Sequence, residues 1–140
     1  MMKLDLSNSA IFPKGEPLPE PLRKNFVGQC YLAMIVPGNS PLEFLIANET
    51  FEPGCRNNWH IHPGGQILLV TGGRGWYQEK RKPARELHAG DVVEIPGRVK
   101  HWHGAAKDSW FIHLAIEVNP KAGPAKWLEP VKQEDYKMLG

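Results

Sequence analysis

The sequence predicts an all-β protein, an antiparallel sandwich or barrel of eight or more short strands. Three observations carry that reading. Short apolar runs rich in β-branched and aromatic residues recur at regular intervals. Thirteen prolines and fourteen glycines separate them, so each run is bounded by turn signals. No helical period is held among these runs.

The elements follow in order. Residues 1–29 are proline-rich and read as an arm with little regular structure. Residues 31–36 and 43–51 read as strands, and 59–61 as a shorter one closed by Pro63-Gly64-Gly65. Residues 66–71 are strongly β-forming, and Gly72-Gly73 is expected to make a tight hinge into 75–79. The basic run Lys80-Arg81-Lys82 reads as a solvated turn before 85–88. Gly90-Asp91 opens 92–95, which Pro96-Gly97 closes, and strands 99–105 and 110–118 complete the set. There is room for one short helix around 133–138. No repeat or linker divides the chain, so residues 1–140 are expected to form one domain: an arm (1–29), a barrel (30–118) and a C-terminal extension (119–140).

Composition narrows the function classes. A net charge of +2 is too small to argue for nucleic acid, and a small-molecule substrate is the expected partner. No segment approaches the apolar length of a membrane span, and the start lacks the apolar stretch of a signal peptide. Two cysteines without a C-x-x-C spacing give no disulfide framework, so a reducing, cytoplasmic setting is expected. Cys55, five residues before His60, reads as a buried thiol rather than a ligand. Apolar strand faces and the arm point to a homodimer.

Chemistry concentrates in two His-x-His pairs. Side chains repeat every two residues along a strand, so His60 and His62 share a face, as do His101 and His103. Gln66 follows His62 past the Pro-Gly-Gly turn. Burying these groups together without partners would be costly, and a transition metal gives several of them a purpose. His88, just before a turn, reads as exposed. Trp102 is out of phase with its histidine neighbours and should face away from them.

The segment Gly54-x5-His60-x-His62-x3-Gln66-x6-Gly73 resembles the first cupin motif, and Gly90-x5-Pro96-x4-His101 resembles the second. The resemblance implies a cupin-type antiparallel jelly-roll β-barrel. It also implies one divalent transition metal held by His60, His62, Gln66 and His101. Three departures stand out: Gln66 replaces the usual glutamate, Arg98 the usual glycine, and Ala105 the usual asparagine. The first leaves only neutral ligands, which favours an anionic substrate or a developing oxyanion.

A narrower likeness lies in Phe51-Glu-Pro-Gly54, His60-x-His-Pro-x-Gly-Gln66, Thr71-x-Gly-x-Gly-Trp76 and Lys100-His-Trp-His-Gly-Ala-Ala106. These resemble small bacterial cupins related to carboxymuconolactone decarboxylase-associated proteins, a group that includes manganese-dependent hydroxynitrile lyases. Manganese is then the preferred ion, with iron, zinc or nickel as alternatives. His103 and His113 would line the pocket and transfer protons. Periodicity opposes this for His113: Trp110, Ile112, Leu114 and Ile116 form the more apolar face, so His113 and Glu117 should point outward unless a second face is buried. The expected activity is a metal-dependent lyase reaction on a small hydroxyl or carbonyl compound, such as hydroxynitrile C–C cleavage. An Fe(II)-dependent dioxygenase and a non-enzymatic metal- or small-molecule-binding domain are the competing classes.

Overall fold

A computed structural model describes residues 11–140. Among these residues twelve strands curl into two facing antiparallel layers that share one long strand. The N-terminal segment supplies β1 (Glu16–Pro17), α1 (Glu20–Arg23) and β2 (Phe26–Val27). Then come β3 (Cys30–Val36), β4 (Leu45–Phe51), β5 (Arg56–Asn57), β6 (His60–Ile61) and β7 (Gln66–Glu79). The short strands β8 (Arg85–His88) and β9 (Val92–Ile95) precede β10 (His101–Ala105) and β11 (Phe111–Glu117). A 3-10 turn at Pro120–Ala122, β12 (Lys126–Trp127) and α2 (Gln133–Lys137) end the chain.

The strand β7 holds the two layers together. Its first half pairs with β9 and β11, and its second half with β8 and β10. The expected hinge at Gly72-Gly73 is therefore a bulge inside one continuous strand, with the register to β11 shifting between Ile112 and His113. Gly73 sits at φ +75°, and a Cβ there would lie 1.7 Å from the Trp110 carbonyl oxygen, so only glycine fits.

One layer runs β1-β3-β4-β11-β7 and the other contains β10, β5 and β2, with β6 and β12 beside β10. Between them Phe51, Leu68, Leu87 and Phe111 are fully buried. Each such side chain contributes roughly 1.5–3 kcal/mol of hydrophobic stabilisation. Cys30 and Cys55 are free, buried thiols in this core.

Two sequence expectations need correction. The N-terminal segment is not merely an irregular arm: β1 pairs with β3, β2 with β5, and Leu18 enters the core at 2% exposure. Pro13 also accepts a 2.8 Å hydrogen bond from the amide of buried Asn48 on β4. The second correction concerns β11. Both faces of β11 are enclosed along its first half, so Ile112 and His113 are buried on opposite sides and His113 points inward. Alternation alone could not show that both faces were covered.

Candidate metal centre

Strand pairing brings the histidines together. His101 on β10 is the register partner of His60 on β6, and Trp127 of β12 pairs with His60 from the other side. The ring centroids of His60 lie 4.3 Å from His101, 5.0 Å from His62 and 4.5 Å from Trp127. His103, two residues along β10, faces the same interior, whereas Trp102 packs outside with Tyr136 and Val131. Donor atoms of His60, His101 and His103 all lie within 4.8 Å of one another, a cluster able to hold a metal ion. His62 stands beside that trio. His88 lies apart, with its side chain 57% exposed.

Hydrogen bonds separate the histidines into two kinds. Nδ1 of His60 donates to the Asn58 carbonyl at 2.7 Å, and Nδ1 of His101 donates to the Val99 carbonyl at 2.9 Å. Each bond fixes the proton on Nδ1 and leaves Nε2 as a free lone pair, the arrangement usual for a metal-ligating imidazole. Nε2 of His101 is buried and has no hydrogen-bond partner among the described residues. Burial holds His101 down to about 4 and His60 well below the ordinary histidine value, so both rings stay neutral.

Glu117 organises the other two candidates. It is the cross-strand partner of Gln66, and the Gln66 amide nitrogen donates to Glu117 Oε1 at 3.1 Å. The same oxygen lies 2.9 Å from His62 Nδ1, close enough for an ion pair though off the line of a hydrogen bond. With its nitrogen held this way, Gln66 leaves Oε1 buried and unpartnered. An orphaned buried acceptor costs roughly 1–3 kcal/mol. Two orphaned acceptors, an amide oxygen and an imidazole nitrogen, fit a divalent cation as the missing partner. Glu117 therefore belongs to the site, although a solvated surface carboxylate was the plainer reading of its sequence position.

A second cluster lies deeper. His113 Nε2 approaches His103 Nδ1 at 3.2 Å and Glu49 Oε1 at 3.5 Å. Glu49 is the register partner of His113 across β4 and β11. Phe51 and Phe111 flank the His113 ring. Burial, reinforced by the charge of Glu117, lifts Glu49 to about 7, and burial depresses His113 to about 3. On its other side, His103 Nε2 meets the amide nitrogen of Asn57 at 3.3 Å. Both nitrogens of His103 are thus engaged, unlike those of His60 and His101. Sequence reading missed Asn57, Glu49 and Trp127, because each enters through register or through the C-terminal extension.

A cavity of about 410 Å³ reaches the site at His62 and Glu117 and is otherwise lined by Leu45, Pro120, Gly123, Pro124 and Ala125. Its size suits a small molecule, and its walls are mostly apolar.

A half-barrel of antiparallel strands with a histidine cluster at its open interior defines a cupin. The cupin domain family matches residues 47–117, and this chain belongs to it. Among its relatives, (R)-mandelonitrile lyase of Granulicella tundricola is 46% identical over 91 residues, covering 65% of this chain and 70% of that protein. The crystal structure of a cupin-like protein from Thermotoga maritima MSB8 superposes with a TM-score of 0.85 at 46% identity, covering 91% of this chain and 95% of that one. The DMSP lyase DddQ from Ruegeria pomeroyi DSS-3 shares the fold alone, with a TM-score of 0.63 at 18% identity over 95% of this chain and 63% of that one. Among the described residues no helix is long and apolar enough to cross a membrane.

Proposed function

We propose that this cupin is a metal-dependent lyase that cleaves a carbon–carbon bond in a small hydroxynitrile-like substrate. His60, His62, Gln66 and His101 would hold one divalent transition metal, manganese being the preferred ion. The observation that carries the reading is the pair of buried, unpartnered acceptors, Gln66 Oε1, whose amide is held by Glu117 next to His62, and Nε2 of His101, whose Nδ1 proton is already engaged. The mandelonitrile lyase relative supports the choice of reaction. When bound, the metal supplies Lewis acidity that stabilises negative charge on the substrate.

The protein's own residues do the rest. The cavity admits the substrate along the apolar wall of Leu45, Pro120 and Pro124. The His103–His113 pair takes the hydroxyl proton as the carbonyl forms and cyanide departs with the bond electrons, then returns that proton to give hydrogen cyanide. Glu49 and Glu117 both face this interior, so an uncharged substrate is favoured over an anionic one. Of the two possibilities raised by the neutral ligand set, the developing oxyanion is the one retained.

The test is release of benzaldehyde from mandelonitrile by protein stripped of metal and reloaded with Mn(II), Fe(II), Zn(II) or Ni(II). Turnover with Mn(II) and none in the stripped protein is expected; no turnover in any form would refute the lyase reading. A second reading has one specific support. Donor atoms of Glu49, His103 and His113 also lie within 4.8 Å of one another, a two-histidine, one-carboxylate set of the kind Fe(II) oxygenases use. Oxygen uptake by the Fe(II)-loaded protein with a catechol or diketone would favour it.

A further inference from the structure

We propose that Asn57 is a positioning residue that locks His103 in the Nδ1–H tautomer and so aims the proton of the histidine pair at Nε2 of His113. The inference rests on the reading of His103 and His113 as the proton-transfer pair.

The backbone N–H of His103 points at Asn57 Oδ1, 2.9 Å away. A main-chain N–H can only donate, so the oxygen of the amide must face it and the amide nitrogen must face away. That nitrogen lies 3.3 Å from Nε2 of the same histidine. An amide NH2 also only donates, so Nε2 has to be the accepting, unprotonated nitrogen. In the resting protein the ring carries no proton on Nε2, because Nε2–H would face NH2; that nitrogen takes the substrate proton only as the amide gives way, while the Nδ1 proton passes to His113. The single ring proton therefore sits on Nδ1, 3.2 Å from His113 Nε2. His113 accepts it there, which places its own proton on its Nδ1.

Strand geometry explains why Asn57 can do this. β5 pairs with β10 through Arg56 and Gly104, which sets Asn57 one step along, opposite His103. A Cβ on Gly104 would come within 2.5 Å of Arg56, so glycine permits the close approach of the two strands. Asn57 is 2% exposed and His103 1%, leaving the amide as the group that sets the ring's proton. The lock has a consequence for the deeper cluster. With Nδ1 protonated, His103 offers no lone pair to a cation between it, His113 and Glu49, so the lock and the Fe(II) reading of that cluster exclude each other.

Long-range 1H–15N correlation spectra of the 15N-labelled protein, metal-free and Zn(II)-loaded, read the tautomer directly, with His103→Gln identifying the ring. The expected spectrum shows an unprotonated Nε2 and a protonated Nδ1 for His103. Asn57→Asp offers a second acceptor oxygen to the ring and should move a proton onto Nε2, with lowered kcat, little change in KM and an unchanged circular dichroism spectrum. A protonated Nε2 in the unsubstituted protein would overturn the proposal, whether or not the variant folds. So would an Asn57→Asp protein that keeps the original tautomer. The tautomer is read without turnover, so a failed lyase assay and a failed lock are separate results.

Discussion

His101 and His103 are two residues apart on one strand and face one interior, yet they are chemically different groups. His101 gives its Nδ1 proton to a backbone carbonyl and leaves Nε2 bare. His103 has both nitrogens engaged, one by Asn57 and one by His113. In the proposed outer cluster of His60, His62, Gln66 and His101, Nε2 of His101 and Oε1 of Gln66 lack anything that accepts their lone pairs among the described residues. In the inner cluster of His103, His113, Glu49 and Asn57, His103 is bonded on both nitrogens, while His113 Nδ1 lacks a partner among the described residues. Each cluster also has a carboxylate supplied as a cross-strand partner: Glu117 opposite Gln66, and Glu49 opposite His113. Residue type does not decide whether a buried histidine binds a metal or carries a proton; the partner of its other nitrogen does.

The largest test of this contrast is removal of an outer ring. His101→Ala should abolish stable metal binding and with it all turnover, while elemental analysis of the purified variant finds the ion lost. Normal metal content in His101→Ala would collapse the distinction between the clusters. Removing an inner ring should do the opposite. His103→Ala and His113→Ala should keep their metal and lose roughly 10²–10⁴-fold in rate, the usual share of a proton-transfer group. Full activity in both variants would end the proton-transfer roles.

The next effect is smaller because it acts through an intermediary. Glu117→Ala should weaken metal affinity by roughly 10–100-fold, as loss of an outer partner of ligating groups does. Glu117→Gln keeps an acceptor oxygen for Gln66 and should recover part of the loss, as measured by competition with a chelating dye. Glu49→Ala should leave affinity nearly unchanged. Equal losses from the two substitutions would show that the carboxylates are not assigned to separate clusters.

Much of this was legible in the sequence. The two His-x-His pairs have period two, which put His60 with His62 and His101 with His103 and sent Trp102 to the other face. Strands bounded by proline and glycine were readable too: β8 and β9 fall at 85–88 and 92–95 as expected. What could not be read is register. Glu117 and Glu49 matter because of the residues opposite them, and pairing partners are fixed by long-range contacts that no local pattern encodes. The same limit hid Asn57, whose role depends on a neighbour 46 residues away. His113 was misjudged by periodicity for a different reason. An apolar alternate set marks the buried face only when the other face is wet, and here Ile112 and His113, on opposite faces, are both buried.

The smallest expected effect separates the clusters by proton linkage rather than by activity. Four buried histidines, His60, His101, His103 and His113, are held below their ordinary value mainly by burial. Below about pH 6.5 the unfolded chain binds protons on these residues that the folded interior refuses, so stability falls as pH falls toward 4. Glu49 acts in the opposite sense. Its folded value is raised to about 7, so the folded state holds an extra proton between the ordinary carboxyl value and 7, which offsets one histidine in that window. The metal-free protein should therefore lose stability on acidification from pH 6.5 to 5, as measured by urea unfolding. His113→Phe removes one refused proton and keeps an aromatic ring between Phe51 and Phe111. Its stability profile should be shallower than the parent's by about 1.4 kcal/mol per pH unit, the value of one proton. Metal loading should leave that difference in place, because His113 stands in the inner cluster; a difference that vanished with metal would move His113 to the outer one.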